Sequence, residues 1–170
     1  MNLLPVRKNI RLAPLNYVGY QRHFLTLCSF RRQNVFSDPG YCRDLLALLH
    51  TECLSRNFSV PAYCLMPDHL HFLAEGLDPA SDLLHLLKSF KIKSSRKYAA
   101  RTAFTLWQRG FYEHVLRPGE HVESVAWYIW LNPVRKRMVS MAGDYPFSGS
   151  FTGMKMPPSW NAPGWRPPWK

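Results

Sequence analysis

Four cysteines in 170 residues, Cys28, Cys42, Cys53 and Cys64, never form a Cys-x-x-Cys pair, which excludes a zinc knuckle and offers no secreted disulfide framework. They read as small core residues. No stretch approaches the ~18 uninterrupted apolar residues of a membrane helix. The opening segment breaks its weak hydrophobicity with Arg7, Lys8 and Arg11, so no secretory signal is expected there and the chain is expected in the cytoplasm. Acids are also scarce. Eleven Asp and Glu face 22 Lys and Arg, a formal net charge of +11, so a polyanion is the expected partner. None of the acids falls in the first 37 residues, which hold six basic side chains, and none falls between Asp82 and Glu113, which enclose seven. What is present is 46% apolar and 14% aromatic, too much for a disordered chain and enough for one domain with a real core.

The hydrophobic pattern divides the chain into alternating elements. Tyr20 to Phe30 is an apolar run suited to a buried strand. A helix follows, with Ser37 or Asp38 as cap, Pro39 in its first turn, and Cys42, Leu45, Leu46, Leu49 and Cys53 on one face. Phe58 to Met66 and His69 to Glu75 read as two strands joined by a Pro67-Asp68 turn, a link so short that the pair must be antiparallel. A second helix is expected to open at Asp78-Pro79, with Leu83, Leu86, Leu87 and Phe90 facing inward. "FYEHVLR" reads as a fourth strand, and Val122, Val125, Ala126 and Ile129 repeat at helical spacing until Pro133 disfavours helix at Asn132. The order β-α-β-β-α-β plus one helix implies an α+β, ferredoxin-like fold with a central antiparallel sheet. Residues 1–150 form its single domain, and residues 151–170 form a Pro/Trp-rich irregular tail with Trp160, Trp165 and Trp169.

Two pairs stand out. His69 and His71 are two apart on an expected strand, so their imidazoles share a face while Leu70, Phe72 and Ala74 supply the buried one. Such a pair can bind metal, or each ring can be an ordinary satisfied histidine. Tyr128 and Asn132 are four apart and neighbour each other on the last long helix, at the flank of its apolar stripe. A tyrosine so placed serves equally well as a half-buried packing residue.

"MPDHLHFL" with "YIWLNPVRKRMV" resembles the HUH single-tyrosine transposases, in the branch called REP-associated tyrosine transposases. "WQRGFYEHVLR" and "IRLAPLNYVGYQRHFLTLCSFRRQNVF" fit the same branch, so the resemblance runs from about Ile10 to about Ser150. It implies that His69 and His71 are paired metal ligands, Tyr128 is the nucleophile on the C-terminal helix, and Asn132 is the third ligand. Asp68 stands where the family often has Asn, a turn change expected to leave the ligands untouched. The implied reaction is metal-dependent cleavage and rejoining of single-stranded DNA beside hairpins through a 5′-phosphotyrosine. A tyrosine suits it because its phenolate is also a leaving group, so the bond to DNA is reversible. Two imidazoles and an amide oxygen suit Mg²⁺ or Mn²⁺, although imidazoles also bind zinc.

The basic blocks supply the substrate contacts. Arg31 and Arg32 close the first strand, while Lys88, Lys91, Lys93, Arg96 and Lys97 lie along the second helix, placed to track a phosphate backbone. Trp107 beside Arg109 offers a face for an unpaired base, and His114 is a candidate helper or DNA contact. The expected partner is single-stranded or hairpin DNA and the expected location the nucleoid, with the protein a monomer or homodimer. A ferredoxin-like sheet with aromatics and basic flanks is also how non-catalytic DNA or RNA hairpin-binding modules work.

Overall fold

The computed structural model describes residues 13–156 and 166–167. The tryptophans expected in the tail, Trp160, Trp165 and Trp169, lie outside the described residues. In chain order the elements are β1 (Arg22–Cys28), α1 (Pro39–Leu54), β2 (Phe58–Met66), β3 (His69–Gly76), α2 (Leu83–Thr102), β4 (Tyr112–Val115), α3 (Val122–Trp130), α4 (Asn132–Arg135) and β5 (Ser148–Gly149). Each strand pairs antiparallel with its neighbours in the order β4-β1-β3-β2-β5. The first four strands and α1 and α2 make the split βαβ arrangement expected from the element order.

Both faces of the sheet are covered, which is why its central strands are apolar almost without alternation. On one face Leu25, Leu27, Leu70 and Phe72 pack against α1 and α2 through Leu45, Leu49, Leu86 and Phe90. On the other, Phe24, Cys64, Met66 and Leu73 pack against Val125, Ile129 and Trp130 of α3. All four cysteines are free and buried, as core residues should be.

Local chemistry sets the ends of the elements. Asp38 caps α1 by accepting from the Tyr41 N–H at 2.5 Å, with Pro39 in the first turn. α2 begins later than the Asp78-Pro79 signal suggested. Asp78 closes a turn of its own, accepting from Ala80 N–H and taking part in two bonds with Ser81, so the helix starts only where Asp82 accepts from His85 N–H. α3 stops at Trp130, and Pro133, which has no N–H to give, sits in the first turn of α4. The two-residue β5 was not expected; Trp130 Nε1 donates to its Gly149 carbonyl at 2.9 Å. Among the described residues no helix is long and apolar enough to cross a membrane.

Candidate active site

β3 leaves the Pro67-Asp68 turn with His69 and His71 on the face that α3 covers. Both rings are buried, and their Nε2 atoms approach to 3.0 Å with the rings nearly perpendicular. Each outer nitrogen has its own partner. His69 Nδ1 meets Asp68 Oδ1 at 2.5 Å, and His71 Nδ1 meets Thr26 Oγ1 at 2.7 Å across the β1–β3 ladder, where these two residues are paired. Asp68 is therefore not the neutral turn substitution its position suggested; it touches a candidate ligand directly. The bond to His69 holds its carboxyl below the usual range against the opposing effect of burial, helped by Arg32 at 3.2 Å.

Tyr128 and Asn132 come to the same place from α3 and α4. The Tyr128 ring lies 6.4 Å from the His71 ring and meets Phe24 edge-on at 5.6 Å. Tyr128 is 7% exposed, deeper than its place at the flank of the apolar stripe implied, because Phe24, His71 and Arg135 surround its ring. The Asn132 Nδ2 donates to the carbonyls of Tyr128 (2.9 Å) and Ile129 (3.1 Å), so the amide oxygen is the atom left to act as a ligand. Arg135, which sequence reasoning did not single out, lies 4.3 Å from the centre of the Tyr128 ring and donates to the Tyr128 carbonyl at 2.6 Å. Its signal was the family-like NPVR stretch, one turn beyond Asn132. His69, His71, Tyr128 and Asn132 all line one cleft of about 460 Å³, whose rim carries Arg32, Lys136 and Tyr112.

The remaining expected contacts divide. Arg31 and Arg32 are exposed on the turn after β1, both with left-handed backbone (φ 53° and 58°), an arrangement seldom adopted by two successive non-glycine residues. Lys88, Arg96, Lys97 and Arg109 are exposed, and Lys88 and Arg109 share a groove of about 380 Å³ with Phe111. Lys91 lines that groove too, but its ammonium donates to the Gln108 and Gly110 carbonyls at 2.6 and 3.1 Å, which pins the loop, and burial holds its pKa below the usual lysine value. Lys93 is paired with the buried Glu52 at 2.5 Å. Trp107 offers no face to a base. It is 4% exposed, packed near Phe36 and Phe90, with its indole N–H bonded to Ser94 Oγ at 2.8 Å. His114 is likewise buried, with Nε2 at 2.6 Å from Glu120, so it braces the loop after β4.

Residues 16–130 match the family model described as "Transposase IS200 like". A protein of Haemophilus influenzae named as a REP-associated tyrosine transposase is 24% identical over 131 residues, 68% of this chain and 72% of that one. The REP-associated tyrosine transposase of Escherichia coli is 31% identical over 96 residues, 55% of this chain and 54% of that one. Among solved structures, a REP-associated tyrosine transposase bound to a REP hairpin superimposes with a TM-score of 0.72 at 21% identity, covering 95% of both chains. A transposase-like protein of Deinococcus radiodurans gives a TM-score of 0.50 at 17% identity, over 72% of this chain and 88% of that one.

Proposed function

The chain belongs to the IS200-like transposase family, and on that footing we propose that it cuts and rejoins single-stranded DNA beside a REP-like hairpin through a 5′-phosphotyrosine on Tyr128. The observation that carries the reading is the approach of His69 Nε2 to His71 Nε2, 3.0 Å, in a cleft that Tyr128 also lines. The hairpin held by the structurally similar transposase supports the choice of substrate.

A divalent cation fits these residues. Two nitrogen–metal bonds of about 2.1 Å at a right angle place their nitrogens about 3.0 Å apart, the separation found here. The family resemblance makes Asn132 the third ligand, and its amide oxygen, in the same cleft, is the atom available to bind. Bound there, Mg²⁺ or Mn²⁺ would withdraw charge from the phosphate oxygens and orient the group.

The protein's own part is nucleophile and cradle. The Tyr128 hydroxyl oxygen bonds to phosphorus, the bond from phosphorus to the 3′ oxygen breaks, and the phenol's proton is replaced through solvent by one on the new 3′-hydroxyl. Attack by a 3′-hydroxyl reverses the step, with the phenolate leaving, so no nucleotide cofactor is needed. Arg135 fixes the Tyr128 ring and its backbone, while Arg32 and Lys136 at the rim and Arg31, Lys88, Arg96, Lys97 and Arg109 beyond it meet DNA phosphates. We assign the chemistry to residues 1–150 and the protein to the cytoplasm, on the nucleoid.

Denaturing electrophoresis of labelled hairpin DNA with Mn²⁺ or Mg²⁺ tests this. Wild type forms a covalent adduct; Tyr128→Phe forms none but keeps its hairpin affinity, and His69→Ala loses cleavage while still binding. A cut strand without attached protein points to a hydrolytic nuclease. Hairpin binding without any cutting by wild type leaves a non-catalytic binding module.

A further inference from the structure

A neutral imidazole carries one N–H, and which nitrogen holds it decides which can bind a cation. At His69 the choice is forced. Asp68 Oδ1, 2.5 Å from Nδ1, belongs to a carboxylate whose other oxygen is paired with Arg32, so it accepts and the proton must sit on Nδ1. The Nε2 lone pair is then turned toward His71.

At His71 the partner of Nδ1 is a hydroxyl, Thr26 Oγ1 at 2.7 Å, which can donate or accept. With its proton on Nε2, His71 would donate to His69 and occupy both nitrogens that face each other at 3.0 Å. With its proton on Nδ1 given to Thr26, two lone pairs meet at that distance, a repulsion that a shared cation converts into attraction. Neither ring is loose enough to escape the choice, since both are buried and His71 is stacked on Phe24 at 5.4 Å.

We propose that Thr26 and Asp68 are positioning residues: Asp68 sets His69 as its Nδ1–H tautomer, and Thr26 accepts the Nδ1–H that His71 carries when a divalent cation takes both Nε2 atoms. This rests on the reading of His69 and His71 as a cation-binding pair. Thr26 acts from a separate strand, placed by the β1–β3 register, whereas Asp68 acts from the turn that launches β3. Outer partners of this kind typically change metal affinity 10–100-fold.

The test uses the full chain without DNA. Mn²⁺ affinity, read from the electron paramagnetic resonance signal of the free ion, should fall about 10–100-fold in Thr26→Val and in Asp68→Ala. Thr26→Ser and Asp68→Asn, which keep an acceptor oxygen, should stay within a few-fold of wild type. Long-range ¹H–¹⁵N spectra of the wild type should show His69 protonated at Nδ1, and His71 likewise once Mg²⁺ is added. Wild-type Mn²⁺ affinity in both disruptive variants, or His69 protonated at Nε2, overturns the proposal; the spectra decide it even if those variants do not fold. Equal Mn²⁺ binding by wild type and His69→Ala would instead remove the cation site itself.

Discussion

His23 on β1 is 1% exposed, stacked on Tyr17 at 6.2 Å, and its Nδ1 has no hydrogen-bond partner among the described residues. Burial lowers its pKa from 6.5 to about 4. Above 6.5 neither the folded nor the unfolded chain protonates this ring. Below it the unfolded chain takes up a proton that the folded one refuses, so stability falls with pH until about 4, by at most about 3 kcal/mol. Urea unfolding at pH 7 and pH 4.5 should show that loss, and His23→Phe should lose less. At the same scale, the His69/His71 and Tyr128/Asn132 pairs were legible because strand and helix periods fix which side chains share a face. Thr26 and Asp68 were not. One depends on the register of a strand 45 residues away, the other on the rotamer of a turn residue, and no spacing encodes either. Trp107 misled for a related reason: it lies in an irregular segment without a period to say which way its ring turns.

The elements meet most tightly where β3 ends. A Cβ on Gly76 would lie 1.9 Å from the Gly19 carbonyl oxygen and 3.2 Å from Ser81 Cβ, while Gly76 N–H donates to Gln21 at 3.0 Å. The obstacle is backbone, which cannot rotate aside. Gly76→Ala should therefore cost about 2–3 kcal/mol, seen as a lowered urea midpoint with an unchanged slope. A wild-type midpoint would mean that the segment around Gly19 moves freely. Strong periodicity and recognisable caps made α1 and the paired β2 and β3 readable. The start of α2 was misplaced because Asp78 and Asp82 carry the same capping chemistry; Asp78 uses it in a local turn with Ala80 and Ser81, and a bridge from Val18 to Asp82 comes before the helix. β5 is two residues long and has no pattern to detect.

For the molecule as a whole, a net charge of +11 combined with exposed cations at the cleft rim and along α2 makes the proposed hairpin binding an exchange of counterions. Fluorescence anisotropy should show affinity falling by about 10³-fold or more between 50 and 200 mM salt if six or more phosphates are held. A flat response would remove the phosphate track. The helices on both faces of the sheet have one more consequence. Cys28, Cys42, Cys53 and Cys64 sit on β1, α1 and β2 beneath them, and burial pushes their thiols up, Cys42 to about 11 and Cys53 and Cys64 to about 12. Alkylating reagents reach these sulfurs only when the layers part, so the order in which they are modified is a native clock for how the protein breathes.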